Sequence, residues 1–417
     1  MKFIATSFLL FFICFSACAQ YNDPNFPKPS SGYGADGTHA VGVKSFTNPN
    51  YPAKNIEIYY PADINTSVPT IFYSHAFGGN VSANISGMLN FVAQKGYAIV
   101  YVPYQTIGVS IADRYNNLLA GFRKAARDYP AIIDTTRVGF LGHSFGGGAS
   151  FGLAYQCFTE NSWGQNGRFI YALAQWYAYN ITQVQLQSFP ANTKVLTEVF
   201  DDDSTNDHRM AVDVFNNLNI SAAEKDFLLV KSDTIGSYIY SAEHNLPNTS
   251  AAFDALDYYA YYRLLDALCD YNFNGNAAGK NVALGNGSAA QVTMPAGLKP
   301  LVQTDHPVAV YPEGKYLYPC TDTQNPRSSY CAATLGMTSL TGAKEPKLYP
   351  NPVTGTLKIS LPDNQGSNDL RLLDATGKLL LTKTIDHRGL LDIDMVGYAP
   401  GLYFVLLGDM RLKVMKE

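Results

Sequence analysis

The chain has 417 residues, of which 47% are hydrophobic and 15% are charged, enough for one large domain with a smaller one or for two or three ordinary domains. Its formal net charge is −4, so the composition provides no basic surface of the kind that binds nucleic acid. We therefore expect no nucleic-acid partner.

The first 19 residues predict a secretory signal peptide. Lys2 precedes a mostly apolar run over 3–15, which is too short to cross a bilayer comfortably. Ala17-Cys18-Ala19 fits a cleavage site that would leave Gln20 at the start of the mature chain. Lipid attachment at Cys18 is the alternative interpretation. We expect a secreted protein.

Four cysteines remain after this cleavage, and an even number in an exported protein indicates disulfides. Cys320 and Cys331 would close a short loop and are the predicted pair. This pairing leaves Cys157 and Cys269, which would form a second disulfide or remain as two buried thiols.

Strand-like and helix-like segments alternate after an extended lead-in over 20–50, which is rich in Pro, Gly, Asn and Ser. Such alternation predicts an α/β fold with a mostly parallel sheet and helices on both faces. In chain order we predict strand 55–61, strand 68–74, helix 86–95, strand 97–104, helix 111–128, strand 137–142, helix 147–157, strand 194–200, strand 226–232, helix 253–271 and a loop over 274–288.

The residue pattern of the sequence changes near Thr341. From there, short β segments alternate with turns rich in Asn, Gly and Pro, and no helical pattern is present. We predict a catalytic domain over 20–335, a linker over 336–345 and a small all-β sandwich over 346–417.

One short motif, Gly142-His143-Ser144-Phe145-Gly146, matches G-x-S-x-G and lies between a predicted strand and a predicted helix. A serine on such a sharp turn is strained, and the backbones on either side come so close that glycine is needed there. The N-terminus of the following helix favours developing negative charge. We predict that Ser144 is a nucleophile.

A nucleophilic serine needs a base and an orienting acid, and on this architecture the chain order is serine, acid, histidine. His244 follows the strand 226–232, where the base belongs, and His306 is the alternative. EVFDDDSTND supplies the acid at the end of the preceding strand. We predict Asp203, with Asp202 as the alternative. A calcium-binding loop is another interpretation of this acidic run.

Two backbone N–H groups are needed to hold the oxyanion of a tetrahedral intermediate. We predict that one comes from Phe145, directly after the nucleophile. The other is predicted at Phe77, in the loop SHAFGG after strand 68–74, where the glycines permit close approach. We expect His75, in the same loop, to form local structural hydrogen bonds.

Residues 50–275 resemble the α/β-hydrolase superfamily, and within it the bacterial cutinase and polyester-hydrolase branch. The stretches that carry the likeness are SHAFGG, DTTRVGFLGHSFGGGAS and ALAQWYAYNITQVQLQSFPANTKVLTEVFDDDS. The resemblance implies an α/β-hydrolase fold, Trp176 beside the scissile ester, and Asp203 as the acid. This branch usually carries Met where the chain has Phe145.

The C-terminal module resembles a type IX secretion sorting domain, through YPNPVTGTLKI, DATGK and GLYFVLL followed by KVMK. The resemblance implies handling by the type IX secretion machinery and export across an outer membrane. A carbohydrate-binding or adhesion module is the alternative interpretation of the β segments.

These residues together predict a monomeric, secreted serine esterase without metal or cofactor. Phe77, Phe145 and Trp176 would bind an ester or polyester with apolar or aromatic acyl groups. A lipase, an acetylhydrolase or a peptidase of the same superfamily is the first alternative, and a surface-binding protein without catalytic activity is the second.

Overall fold

A computed structural model describes residues 20–250, 252–320, 322–327, 347–360, 368–375, 377–385, 390–407 and 410–417. The predicted signal peptide, the predicted linker and Cys331 lie outside these ranges. The chain divides into two units, Met1–Ser329 and Tyr330–Glu417, and each is described by itself.

The first unit contains a central nine-stranded sheet and a separate two-stranded hairpin. The strands are β1 (Val41–Thr47), β2 (Asn55–Pro61), β3 (Val68–Ser74), β4 (Ala98–Tyr101), β5 (Ile133–His143), β6 (Gly167–Leu173), β7 (Thr193–Phe200), β8 (Lys225–Val230), β9 (Asp233–Ile235), β10 (Tyr238–Tyr240) and β11 (Val302–Thr304). The sheet order is β1-β2-β4-β3-β5-β6-β7-β8-β11, and β9 pairs with β10 in the hairpin. In this order, the neighbouring strands from β4 to β8 pair in parallel. The pairs β1-β2, β2-β4 and β8-β11 at the two edges are antiparallel.

Helices connect the strands and cover the sheet. They are α1 (Ser86–Gln94), α2 (Ile111–Asp128), α3 (Phe145–Glu160), α4 (Gln183–Leu186), α5 (Arg209–Asn217), α6 (Arg263–Asn274), α7 (Ala277–Ala283) and α8 (Ala289–Val292), with a π-helical segment at Leu256–Tyr262 before α6. Short 3-10 helices lie at Ser82–Ile85, Ala222–Glu224 and Glu313–Lys315.

The core lies in two apolar layers, one on each face of the sheet. Ile71 and Tyr73 of β3 pack with side chains of α1 and α6, whereas Phe72 packs with side chains of α2 and α3. Successive strand side chains point to opposite faces, so an apolar strand such as β3 must be covered on both. The predicted α/β architecture, a mostly parallel sheet with helices on both faces, is confirmed.

Several predicted boundaries coincide with the observed ones because local signals determine them. Helix α2 begins after Ser110, whose hydroxyl accepts a hydrogen bond from the Asp113 N–H at 3.1 Å, while the Asp113 carboxylate accepts one from the Ser110 N–H at 3.0 Å. This reciprocal capping box satisfies two N–H groups that the helix leaves free.

The chain differs from the prediction in several segments. The predicted lead-in contains β1, an edge strand paired with β2. The predicted loop over 274–288 contains α7, whose first turn is capped by the Asn276 side chain and whose Gly279 lies close against α6. Strand β6 and helix α5 were not predicted. Contact with the sheet and with α6 stabilises these elements, and local composition does not reveal it.

Cys157 and Cys269 are free and buried, so the prediction of a disulfide between them is wrong and the alternative of two buried thiols is correct. Cys157 lies on α3 and Cys269 on α6, and these helices cover opposite faces of the sheet. Cys320 is disulfide-bonded.

Glu198 of β7 is a fully buried carboxyl group. The Tyr171 hydroxyl donates a hydrogen bond to its Oε2 at 2.7 Å, while Oε1 has no partner within the described part of the chain. Burial raises the pKa of Glu198 from 4.5 to about 8. The folded protein therefore holds this proton more tightly than the unfolded chain, and stability is lost as the pH rises from about 4.5 to about 8.

We expect Glu198→Gln to be more stable than the wild type by roughly 3 kcal/mol at pH 9, with little difference at pH 4.5. Glutamine keeps an acceptor for Tyr171 and cannot ionise. Urea unfolding at both pH values measures the difference, and exposed Glu160→Gln is the control. A constant difference between wild type and Glu198→Gln across this range would contradict the prediction.

The second unit consists of two antiparallel sheets around one apolar core. Its strands are β12 (Lys347–Tyr349), β13 (Thr356–Ser360), β14 (Asn368–Asp374), β15 (Leu379–Ile385), β16 (Leu390–Asp394), β17 (Gly401–Leu407) and β18 (Met410–Lys416). The sheet orders are β12-β13-β16 and β15-β14-β17-β18. Alternate residues of both sheets, such as Leu357, Leu372 and Val405, share the core.

Within the described residues, no helix combines the length and the apolar character that crossing a bilayer requires.

Candidate active site

Ser144 lies at the turn between β5 and α3 with φ 56° and ψ −119°, a conformation that side chains rarely adopt. The flanking residues must be glycines because neighbouring backbone atoms leave no room for a Cβ. A Cβ on Gly142 would lie 2.2 Å from the Gly146 carbonyl oxygen, and one on Gly146 would lie 1.9 Å from the Ser74 carbonyl oxygen. The tight contact between β3, β5 and α3 therefore depends on this glycine spacing.

The structure brings Ser144, His244 and Asp203 together from three separate loops. The Ser144 Oγ lies 3.0 Å from His244 Nε2, and His244 Nδ1 lies 2.9 Å from Asp203 Oδ2. Ser144 follows β5, Asp203 follows β7 and His244 follows the β9–β10 hairpin. A neutral His244 protonated at Nδ1 would donate to Asp203 and accept from the serine hydroxyl.

Asp203 is fully buried, and its Oδ1 accepts hydrogen bonds from the N–H groups of Thr205 and Asn206 at 2.8 and 3.0 Å. Burial raises its pKa, but the hydrogen bond to His244 and these backbone donors outweigh that effect and hold the pKa below its usual value. The carboxyl group therefore stays ionised at neutral pH and can orient a histidine.

The alternative acid and base lie elsewhere. Asp202 is exposed to solvent, and Asp201 forms an ion pair with Lys231 at 3.3 Å. His306 is also exposed. The run of three aspartates points in different directions, and the described residues include no group of three or more His, Cys, Asp or Glu side chains that could hold a metal ion.

His143 holds the loop that carries His244. Its Nε2 lies 2.7 Å from the His244 carbonyl oxygen, and the two imidazole rings lie 4.9 Å apart. Burial lowers the pKa of His143 to about 3, so the ring is neutral and Nε2–H donates to that carbonyl. Sequence analysis assigned no role to this residue.

Phe77 and Phe145 are the two predicted oxyanion donors. Neither the Phe77 N–H nor the Phe145 N–H donates a hydrogen bond within the described part of the chain. Both residues line the same cleft as Ser144. The loop of Phe77 is held by buried His75, whose Nδ1 lies 2.6 Å from the Ala76 carbonyl oxygen and whose Nε2 accepts from the Tyr104 N–H at 3.1 Å.

Asn206 is a further residue at the nucleophile that sequence analysis missed. Its buried side-chain amide donates to the Ser144 Oγ at 3.2 Å and to the Ala174 carbonyl oxygen at 2.6 Å. It lies three positions after Asp203 on the same loop. Its position beside the acidic motif was therefore the one feature of the sequence that could have identified it.

A cleft with a volume of about 390 Å³ opens at Ser144 and is walled largely by aromatic side chains. Trp176 lies on one wall, where its backbone N–H donates to the Ser144 carbonyl oxygen at 2.7 Å. Its indole and the Tyr318 ring are arranged edge to face, with centroids 5.4 Å apart. Phe77 is 53% exposed on the cleft surface. The residues that line it are Ala76, Phe77, Arg114, Ser144, Phe145, Trp176, Tyr179, Thr205, Asn206, His244, Asn245, Leu317 and Tyr318.

The segment that carries Leu317 and Tyr318 gave no sequence signal. The Leu317 N–H donates to the Ser204 carbonyl oxygen at 2.8 Å, and Glu313 forms an ion pair with Arg209 at the start of α5. These contacts attach residues 313–318 to the loop of Asp203 and complete one wall of the cleft.

No curated protein matches the chain at a significant level. Residues 347–417 match the family model of the secretion system C-terminal sorting domain. The resemblance of the C-terminal module to a sorting domain is therefore confirmed. The protein carries a type IX sorting domain at its C-terminus, is handled by the type IX secretion machinery, and is exported to the cell surface or the extracellular space.

Proposed function

We propose that the first unit is a serine carboxylic-ester hydrolase of the α/β-hydrolase type. The observation that carries the proposal is that His244 lies within hydrogen-bond distance of both other residues. Its Nε2 is 3.0 Å from the Ser144 Oγ, and its Nδ1 is 2.9 Å from the Asp203 Oδ2. A strained serine between a parallel strand and a helix, with the acid and the histidine following later strands in that order, supports the superfamily assignment.

In this proposal the Ser144 Oγ attacks the ester carbonyl while His244 Nε2 accepts its proton. The N–H groups of Phe77 and Phe145 hold the oxyanion of the tetrahedral intermediate. His244 then returns the proton to the leaving alcohol, and an acyl-enzyme forms on Ser144. Water, deprotonated by His244, releases the acid and restores the serine. Asp203 stabilises the imidazolium in both steps.

The aromatic walls of the cleft support esters with apolar or aromatic acyl groups, including polyesters. Trp176, Phe77 and Tyr318 offer flat apolar surfaces near Ser144, and such surfaces bury a ring or an alkyl chain without unpaired polar atoms. A peptide substrate would bring additional backbone N–H and C=O groups that need hydrogen-bond partners.

Labelling with a fluorophosphonate tests the proposal directly. We expect the mature protein to gain one phosphonyl group on Ser144, detected by peptide mass spectrometry, and to hydrolyse p-nitrophenyl butyrate. Denatured protein is the control. A folded protein that neither reacts with the probe nor hydrolyses the ester would support a binding role for the cleft.

We also expect Asn206→Ala to lower kcat for p-nitrophenyl butyrate roughly tenfold with a smaller change in KM. The variant removes the donor that holds the Ser144 Oγ and leaves the Ala174 carbonyl oxygen unpaired. Steady-state kinetics measures the effect, and exposed Asn65→Ala is the control. If Asn206→Ala had the kcat and KM of the wild type, Asn206 would have no role in the reaction.

A further inference from the structure

Arg114 brings a positive charge into the cleft of Ser144. It lies in the first turn of α2 and lines the cleft together with Phe77 and Phe145. The centre of its guanidinium group lies 5.0 Å from the Phe77 ring centroid and 5.5 Å from that of Phe145. Cation–π attraction to these two rings helps to hold the guanidinium group at the cleft wall.

The hydrogen bonds of Arg114 use only part of its capacity. Nη2 donates to the Thr106 carbonyl oxygen at 2.7 Å and to that of Val109 at 3.4 Å. Nε is buried and has no partner within the described residues. None of the ion pairs of the described chain includes Arg114, and Nη1 forms no hydrogen bond there. Nη1 is therefore the nitrogen left for a ligand.

The surroundings leave this charge uncompensated. Among the described residues that line the cleft, none is acidic, and Arg114 is the lysine- or arginine-type cation. Asp113, its neighbour on α2, is engaged with Ser110 at the helix cap. The charge also acts on the cleft wall: burial raises the pKa of Tyr179, and Arg114 opposes that rise.

A substrate carboxylate would complement this arrangement. Nη1 carries two N–H donors, and a charge-assisted hydrogen bond from a guanidinium nitrogen to a carboxylate oxygen strengthens in a site with apolar walls. The cleft volume of about 390 Å³ is of the size that holds a small substrate, so one molecule could contact both Ser144 and Arg114.

We propose that Arg114 binds a carboxylate on the ester substrate, so that the enzyme prefers esters whose apolar or aromatic body ends in this anionic group. The inference rests on the proposed esterase activity and specifies its substrate class. Arg114 would contribute to specificity, and Ser144 and His244 would carry out the reaction.

Three methyl esters of nearly the same shape test the proposal: methyl 4-carboxylatobenzoate, methyl 4-carbamoylbenzoate and methyl 4-amidinobenzoate. They differ mainly in charge, which is negative, neutral and positive. We expect Arg114→Gln to lower the ratio of kcat/KM for the carboxylate ester to that for the carboxamide ester by roughly tenfold, and to raise the relative rate of the amidinium ester. Comparing proteins cancels the intrinsic reactivities of the esters.

Two further variants make the result specific. Arg114→Lys keeps the charge and should retain part of the preference even if Arg114→Gln folds poorly. Arg127→Gln, on the same helix with 68% of its side chain exposed, should leave the ratio unchanged. Fluorophosphonate labelling of each variant verifies that Ser144 remains reactive.

An unchanged ratio in a reactive Arg114→Gln protein would overturn the inference and leave the esterase proposal intact. The inference would also be overturned if the wild type hydrolysed p-nitrophenyl butyrate but showed no preference for the carboxylate ester over the carboxamide ester. Hydrolysis of p-nitrophenyl butyrate with neither benzoate ester accepted would overturn it as well. A folded wild type that hydrolyses no ester and resists labelling would instead refute the esterase proposal.

Discussion

His244→Ala is expected to lower kcat/KM for p-nitrophenyl butyrate by roughly 10⁴-fold or more while the protein remains folded. The variant removes the group that lies 3.0 Å from the Ser144 Oγ and would accept its proton. Without this base, the hydroxyl remains a weak nucleophile. Steady-state kinetics measures the loss, and circular dichroism verifies the fold.

Ser144→Ala should cause a similar loss, and the double variant should be no worse than either single one, because the residues would act as a unit. His306→Ala is a matched control, since this exposed histidine was the alternative base in the sequence. Losses that multiply in the double variant, or full activity in His244→Ala, would contradict the assignment of this pair.

Gly146→Ala is expected to lower the free energy of unfolding by about 3 kcal/mol or more, or to prevent folding. The new Cβ would lie 1.9 Å from the carbonyl oxygen of Ser74 and 2.3 Å from its carbonyl carbon. Both atoms belong to the backbone of β3 at its buried end, so no side chain can rotate to relieve the overlap.

Urea unfolding measures this effect, and the soluble yield measures it where the variant does not fold. Gly314→Ala is the control, because nothing lies within 4 Å of the corresponding Cβ and the change should stay within about 0.5 kcal/mol. Equal stability of Gly146→Ala and wild type would mean that the motif does not require glycine for packing.

Local patterns in the sequence were sufficient where each residue type has a direct structural meaning. The alternation of apolar strands and helices predicted the parallel sheet, and the glycines around Ser144 predicted the turn after β5. The type IX sorting domain was also recognisable, because its turns and β segments lie in one continuous stretch, and the family match over 347–417 confirms it.

Elements that depend on distant contacts were missed. Helix α7 follows glycines and asparagines and is held against α6, while β6 continues in the sequence, without a break, into an aromatic-rich segment that ends at Tyr179. The spacing of 41 residues between Asp203 and His244 accommodates α5, β8 and the β9–β10 hairpin. The pairing of Cys157 with Cys269 failed because the two helices cover opposite faces of the sheet.

By itself, the sequence determined the α/β class, the strained serine turn, the order of candidate acid and base, and the sorting domain, because each is written in a local pattern. The sequence favoured Asp203 over Asp202 and His244 over His306 but left the alternatives open. The tertiary structure places His244 against Ser144 and Asp203 against His244. It also brought Asn206, Arg114 and Tyr318 to the cleft. Side-chain direction and contacts between distant loops arise from packing of the whole sheet, which no short stretch of residues encodes.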